Sequence, residues 1–215
     1  MLSKQYQVTP FFFNWKSVST LPAKILKNDI VFIWFVSYHA FFTMIFSKLF
    51  SKKMVVVTGG YDVAGEKEIS YGLMQNRLLK WMVGIVLKQS NKILAVSEFN
   101  RKEIIKNFGL KEKIKMIYNS VDKDAFYPDE TIKKEPIVLT VGFIKSETVK
   151  RKGLSTFVKA AKLVPEARFL LVGKAENDGS LPYLQSIASD NVEFSGFVSD
   201  KDLLKLYQKA KVYCQ

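Results

Sequence analysis

The sequence predicts an α/β protein with two doubly wound parallel sheets, one in each half of the chain. Two observations carry this. Short apolar, β-rich runs alternate with stretches whose apolar residues recur at helical spacing, and the alternation occurs twice over. Several runs stop at glycine, as at Gly59-Gly60, Gly142 and Gly173, which is how strands in parallel sheets turn into the loops that carry ligands. The two halves meet at the irregular, charged stretch Tyr118–Glu135, which contains Pro128 and reads as a linker. We therefore expect domains over 1–130 and 131–215.

In the first half, Tyr6–Phe13 has strand composition, with Pro10 limiting it to an edge or an irregular end. Ser17–Lys27 predicts a short helix and Ile30–Val36 a strong strand. His39–Phe50 is apolar nearly all round and predicts a buried helix. Met54–Thr58 is the next strand, closed by the turn Gly59-Gly60-Tyr61-Asp62. Ile69–Lys88 predicts one long amphipathic helix, with Trp81 and Met82 read as core rather than as the alternative, membrane anchors. Lys92–Val96 is a strand, and Ser97 and Gly109 cap the helix Glu98–Phe108 at its two ends. Ile114–Ile117 is a further strand.

The second half opens with Pro136–Lys174, which reads strand, loop, helix, strand. Ile137–Val141 and Arg168–Val172 are the strands; Leu154, Phe157, Val158, Ala161 and Val164 have helical spacing. The long loop between them carries Lys150, Arg151, Lys152 and Gly153. Positive charge, a glycine and a helix start at the carboxyl end of a parallel strand suit a phosphate. A helix near Leu181–Ala188, a strand Val192–Phe194, a helix Asp200–Ala210 capped by Ser199 with Asp202, and a strand opened by Val212–Cys214 complete the pattern.

One histidine, His39, and one cysteine, Cys214, exclude two-histidine metal motifs, cysteine metal clusters and a disulfide framework. With no basic start and apolar stretch of a signal peptide, a cytoplasmic protein is expected. The net charge is +13, and residues 77–115 hold ten Lys/Arg against three Asp/Glu. Such a surface suits phosphorylated substrates, anionic lipid on the inner face of a membrane, or nucleic acid; the ordinary alternative is a solvated helix face. Val31–Phe50 has about the length of a membrane span, ~20 residues. His39 and Lys48 interrupt it, and strand followed by buried helix is the reading adopted.

Two segments carry a family resemblance. In Asn91–Pro128 the residues Ser97, Glu98, Gly109, Ile114, Asn119, Val121, Asp122, Phe126 and Pro128 fall in the pattern that ends the N-terminal domain of family 4 retaining glycosyltransferases. In Ile137–Gln215, Gly142, Lys152, Gly153, Gly173, Asn191, Val192, Phe194, Gly196, Leu203, Tyr207 and Ala210 are similar to their donor domain. The resemblance implies the GT-B fold, two Rossmann-like domains facing a cleft, both incomplete in this chain. It implies a nucleotide-sugar donor, such as a UDP- or GDP-sugar, on the C-terminal domain and a glycan, lipid or small-molecule acceptor on the N-terminal one. Transfer with retention, and without a metal, follows from the same resemblance. Donor contacts would come from Gly142, Arg151, Lys152, Gly153, Lys174, Phe197 and Val198, with Lys152 on the diphosphate and Phe197 and Val198 near the base.

The sequence departs from the family in four ways. Phe143 stands where an arginine often follows the loop glycine, leaving Lys145, Lys150 or Arg151 to replace it. Gly60-Tyr61-Asp62 stands where many members have a histidine; either Asp62 or Tyr61 contacts sugar or acceptor, or Asp62 caps its turn. His39, which with Asp62 makes up the candidate catalytic residues, is either an acceptor contact or a buried, hydrogen-bonded histidine. The paired glutamates and the opening glycine-rich loop of the family have no counterpart, so the chain is expected to need a further segment and to be inactive alone. A nicotinamide oxidoreductase is excluded by the lack of G-x-G-x-x-G after a strand. The remaining rival is a basic module without catalysis that binds nucleic acid or membrane; no nucleic-acid motif accompanies the charge, and nucleic acid is not the expected partner.

Overall fold

The computed structural model describes residues 5–215. The strands of the first half are β1 (Ile30–Trp34), β2 (Lys53–Thr58), β3 (Lys92–Ala95) and β4 (Ile114–Met116). They lie side by side in chain order, every pair parallel. Parallel neighbours need a crossover, supplied by α2 (Tyr38–Leu49), α3 (Arg77–Gln89) and α4 (Glu98–Phe108). Period-two alternation sends Ile33, Met54, Val56, Ile93 and Ala95 into one core, where Ala40, Met44, Val83, Val86, Leu87 and Ile104 of the helices meet them. A short helix, α1 (Leu21–Leu26), preceded by a 3₁₀ turn at Trp15–Thr20, buries Leu21 and Ile25.

The second half holds β5 (Glu135–Val141), β6 (Arg168–Val172), β7 (Val192–Gly196) and β8 (Ala210–Tyr213), in the order β7-β6-β5-β8, again all parallel. Its helices are α5 (Ser146–Arg151), α6 (Leu154–Ala160), α7 (Ser180–Ser186) and α8 (Asp200–Lys209). Phe169 and Leu171 join a core built with Leu154, Phe157, Val158 and Leu184. Leu170 and Val172 join a second core with Ile137 and Leu139, lined by Leu203 and Leu206 of α8. The sheet is thus covered on both faces. By contacts the chain divides into two units, the first ending at Ser120 and the second beginning at Val121. The predicted α/β class with two parallel sheets is observed.

Five local expectations are corrected. Tyr6–Phe13 forms no strand. β1 is the edge of its sheet, and this segment anchors through side chains instead: Lys24 lies over the Phe11 ring and Phe13 stacks on Phe42. The helix expected over Ile69–Lys88 begins only at Arg77. Gly72 sits at φ 107, and a Cβ there would come 2.0 Å from the Ala64 carbonyl oxygen, so the chain is held in a non-helical bend. Asn76 then starts α3 by accepting from the N–H of Leu78 and Leu79. Met82 is buried, but Trp81 is 57% exposed. The helix α2 buries one face only: Ala40, Thr43, Met44 and Ser47 point in, while Ile45 and Leu49 point out. Its buried hydroxyls cost little because Thr43 and Ser47 donate to the carbonyls of His39 and Thr43, both at 2.7 Å. The long loop expected after β5 contains a helix, α5.

Candidate functional site

In the second unit, the carboxyl ends of β5, β6 and β7 are knitted together by backbone hydrogen bonds. Gly142 N–H donates to Val172, Gly173 N–H to Gly196, and Ile144 N–H to Lys174, each at 2.9 Å. This closeness demands glycine at 173: its φ is 154, and a Cβ would stand 1.9 Å from the Gly142 carbonyl oxygen. Lys152 lies directly on this floor. Its stem covers Gly142, where an added Cβ would come 3.2 Å from the lysine Cδ, and its Nζ donates to the Val141 carbonyl at 3.0 Å. Burial pushes the Lys152 ammonium below the ordinary lysine pKa, and the neighbouring Arg151 charge adds to this. A half-buried cation held at a strand end, and destabilised as a cation, gains from a partner anion.

Two other basic residues of the loop are arranged around one carboxylate. Glu147 pairs with Lys145 at 3.2 Å and with Arg151 at 3.7 Å. Lys150 is exposed on the last turn of α5. Gly153 takes φ 64 and joins α5 to α6, so Lys152 and Gly153 form the corner between two short helices rather than part of an open loop. Lys174 is exposed, and its backbone carbonyl receives the Ile144 N–H. Phe197, just past β7, is 80% exposed, whereas Val198 packs into the core under α8. Phe143, just past β5, is 40% exposed.

Sequence reading missed two residues here. Asp178 accepts from Ser146 N–H at 2.8 Å and from Ser180 N–H at 3.0 Å, starting α5 and α7 at once. Those hydrogen bonds hold its carboxyl below the usual range. Glu147 is the second, as the hub of the loop's ion pairs. Glu147 was legible as an acid among bases; Asp178 acts 32 residues away in sequence, and no local signal announces it.

In the first unit, Asp62 is buried at the carboxyl end of β2. One carboxylate oxygen accepts from Gly59 and Gly60 N–H at 3.0 and 2.9 Å, and the other from Val36 N–H at 3.0 Å. It ties the turn after β2 to the turn after β1, a positioning role. Burial raises its pKa, against the pull of these backbone donors. Phe35 takes φ 65 between those turns, and its ring lies against Gly59, where a Cβ would come 1.7 Å from the Phe35 Cε1. Asn100 donates to the Thr58 carbonyl at 2.9 Å from the first turn of α4, and Tyr61 and Tyr71 meet edge to face. His39, on the first turn of α2, is half-buried with Nε2 at 3.2 Å from the Trp34 carbonyl. Among the described residues no group of three His, Cys, Asp or Glu side chains is placed to hold a metal ion.

The model for Glycosyltransferase Family 4 matches residues 7–125, and that for Glycosyl transferases group 1 matches residues 122–215. The chain belongs to glycosyltransferase family 4. No curated protein matches it by sequence. Among solved structures it is similar to HepE of Anabaena in complex with UDP, with a TM-score of 0.70 and 15% identity, over 91% of this chain and 55% of that one. It is also similar to the sucrose-phosphate synthase of Thermosynechococcus elongatus, with a TM-score of 0.65 and 17% identity, over 97% of this chain and 57% of that one. A third is TarM of S. aureus, crystallised with UDP, with a TM-score of 0.65 and 14% identity, over 89% of this chain and 38% of that one. At these identities the likeness is one of fold, the GT-B glycosyltransferase fold. The chain spans about half the length of the first of these structures.

Proposed function

We infer that this family member takes part in transferring a sugar from a nucleotide diphosphate sugar to a hydroxyl acceptor, with retention at the anomeric carbon. In that reaction the bond from the anomeric carbon to the diphosphate oxygen breaks. The acceptor oxygen bonds to the same carbon and gives up its proton. Negative charge grows on the departing diphosphate, and a preorganised cation there lowers the barrier. The observation that carries the reading is Lys152: a half-buried ammonium fixed over Gly142 at the carboxyl end of β5, on a floor so tight that only glycine fits at 173. Phe197, exposed just past β7 on the far side of β6 from β5, offers a face for the base. In the first unit, the turns held by Asp62, with His39 and Tyr61 at the same sheet edge, are the place for the acceptor.

UDP is the first donor nucleotide to try, because HepE of Anabaena and TarM were crystallised with it. Since the 215 residues span about half of the length of such structures, donor binding rather than turnover is expected of them alone. Calorimetric titration with UDP and with GDP tests the proposal. Binding of one of them, weakened about tenfold or more in Lys152→Ala with the melting temperature kept, is the expected result. Equal affinity of wild type and Lys152→Ala, or no binding of either nucleotide, would refute it.

A further inference from the structure

The outer side of the first unit carries a run of aromatic rings over three elements. Trp15 and Phe13 meet Phe42 of α2, with ring centroids 5.9 and 6.3 Å apart; Phe42 meets Phe41 at 6.3 Å, and Phe41 meets Trp81 of α3 at 6.0 Å. Along the crest of α2, Tyr38, Ile45 and Leu49 follow at helical spacing and are exposed by 45, 43 and 69%. Trp15 and Trp81 are also mostly exposed. Soluble surfaces seldom keep so many large apolar side chains together without a partner.

The charge around these rings is one-sided. The helices α2 and α3, which supply most of this side, carry Lys48, Arg77, Lys80 and Lys88 and no Asp or Glu. Lys48 lies on the exposed stripe of α2, and Arg77 and Lys88 on that of α3 beside Trp81. The basic stretch visible in sequence, 77–115, divides here. In its later part Arg101 pairs with Glu98 and Lys106 with Glu103, and Lys113 donates to the carbonyls of Lys88 and Ser90. Lys48, Arg77 and Lys88, by contrast, stand exposed on helices that carry no Asp or Glu.

We propose that this face of α2 and α3 rests on an anionic phospholipid surface. Rings with polar edges, aliphatic crests and flanking lysines are what an interfacial helix pair presents to headgroups, with lysine stems lying along the apolar patch and ammonium groups at the phosphates. No helix among the described residues is long and apolar enough to cross a membrane, so the contact is with the surface. A second copy of the chain is a poor occupant, because a two-fold contact would set these cations against one another. Nucleic acid would use the rings and the charge but has no use for Ile45 and Leu49. The first turn of α2, with His39, lies at the sheet edge that holds Asp62, so a surface-bound chain would keep that edge near the lipid headgroups.

Vesicle flotation of the 215-residue chain tests this, with phosphatidylglycerol–phosphatidylcholine vesicles against phosphatidylcholine alone, at low and high salt. Binding at least about tenfold stronger to the anionic vesicles, and weakened by salt, is expected. Ile45→Ser with Leu49→Ser, and separately Lys48→Glu with Lys88→Glu, should each reduce it several-fold while the melting temperature holds, since all four side chains are exposed. In Trp34→Phe, which leaves Trp15 and Trp81 as the only tryptophans, brominated lipid should quench the fluorescence. Equal binding to neutral and anionic vesicles, no binding to either, or no quenching would overturn the proposal. So would a concentration-dependent dimer, or oligonucleotide binding without vesicle binding, that the same double variants abolish. The readout is independent of nucleotide binding, so the two proposals fail separately.

Discussion

The two sheets share strand number and all-parallel pairing, yet they are covered differently. In β6, RFLLV, four consecutive residues are buried, Phe169 and Leu171 on one face and Leu170 and Val172 on the other. In β1, IVFIW, only Ile33 is fully buried, while Ile30, Phe32 and Trp34 are exposed by 57, 43 and 54%. On the face of the first sheet that bears Phe32 and Trp34, Val57 of β2 is buried, but none of these three residues joins the core built with α2, α3 and α4. All-parallel sheets are normally buried on both faces. The difference teaches that a continuous apolar run marks a parallel strand without telling whether one or both of its faces will be covered.

The largest test of this contrast is Leu171→Ala. Leu171 is fully buried in β6, and its truncation should cost about 2–5 kcal/mol in denaturant unfolding. A loss below about 1 kcal/mol would mean that the second unit is packed no better than the open face of the first.

The next is Asp62. Replacing it with alanine strands the N–H groups of Val36, Gly59 and Gly60 in a buried turn and should cost about 2–4 kcal/mol at neutral pH. Because burial raises its pKa above 3.8, the folded state holds the Asp62 proton more tightly than the unfolded chain. Its contribution to stability is therefore complete below the unfolded value and declines as pH rises through the folded one. Asp62→Asn should remove that acid-side slope, which stability measured against pH would reveal. A slope of opposite sign in the wild type would show that the backbone donors outweigh burial.

Phe32→Ser should have the smallest effect, within about 1 kcal/mol and with better solubility, because the residue keeps 43% of its surface in water after folding. A cost as large as that of Leu171→Ala would show that the face is covered in solution and would erase the contrast.

Much of the fold was legible because it is local. Arg168–Val172 matches β6 residue for residue. Ser97 caps α4 through the Asn100 N–H, Gly109 closes it at φ 69, and Ser199 accepts from Asp202 at the start of α8. The placement of Lys152 beside Gly142 at a strand end was also readable, from a β-run, a glycine and a basic corner before a helix. What escaped depends on distant partners. The helix α5 needs Asp178; the early break before α3 needs the Ala64 carbonyl; Trp81 is exposed because Phe41 of another helix, not the core, is its neighbour.

By itself, the sequence determined the α/β alternation, the two parallel sheets, most helix ends and the basic corner at Lys152, since these follow from hydrophobic period, capping chemistry and glycine placement over a few residues. Only tertiary structure decided which apolar faces would be covered, whether Asp62 would reach outward or clasp its own turns, and which lysines would be neutralised. Those outcomes depend on which groups meet across dozens of residues. Burial, hydrogen bonding and Coulomb attraction act between neighbours in space, and a linear pattern does not list them.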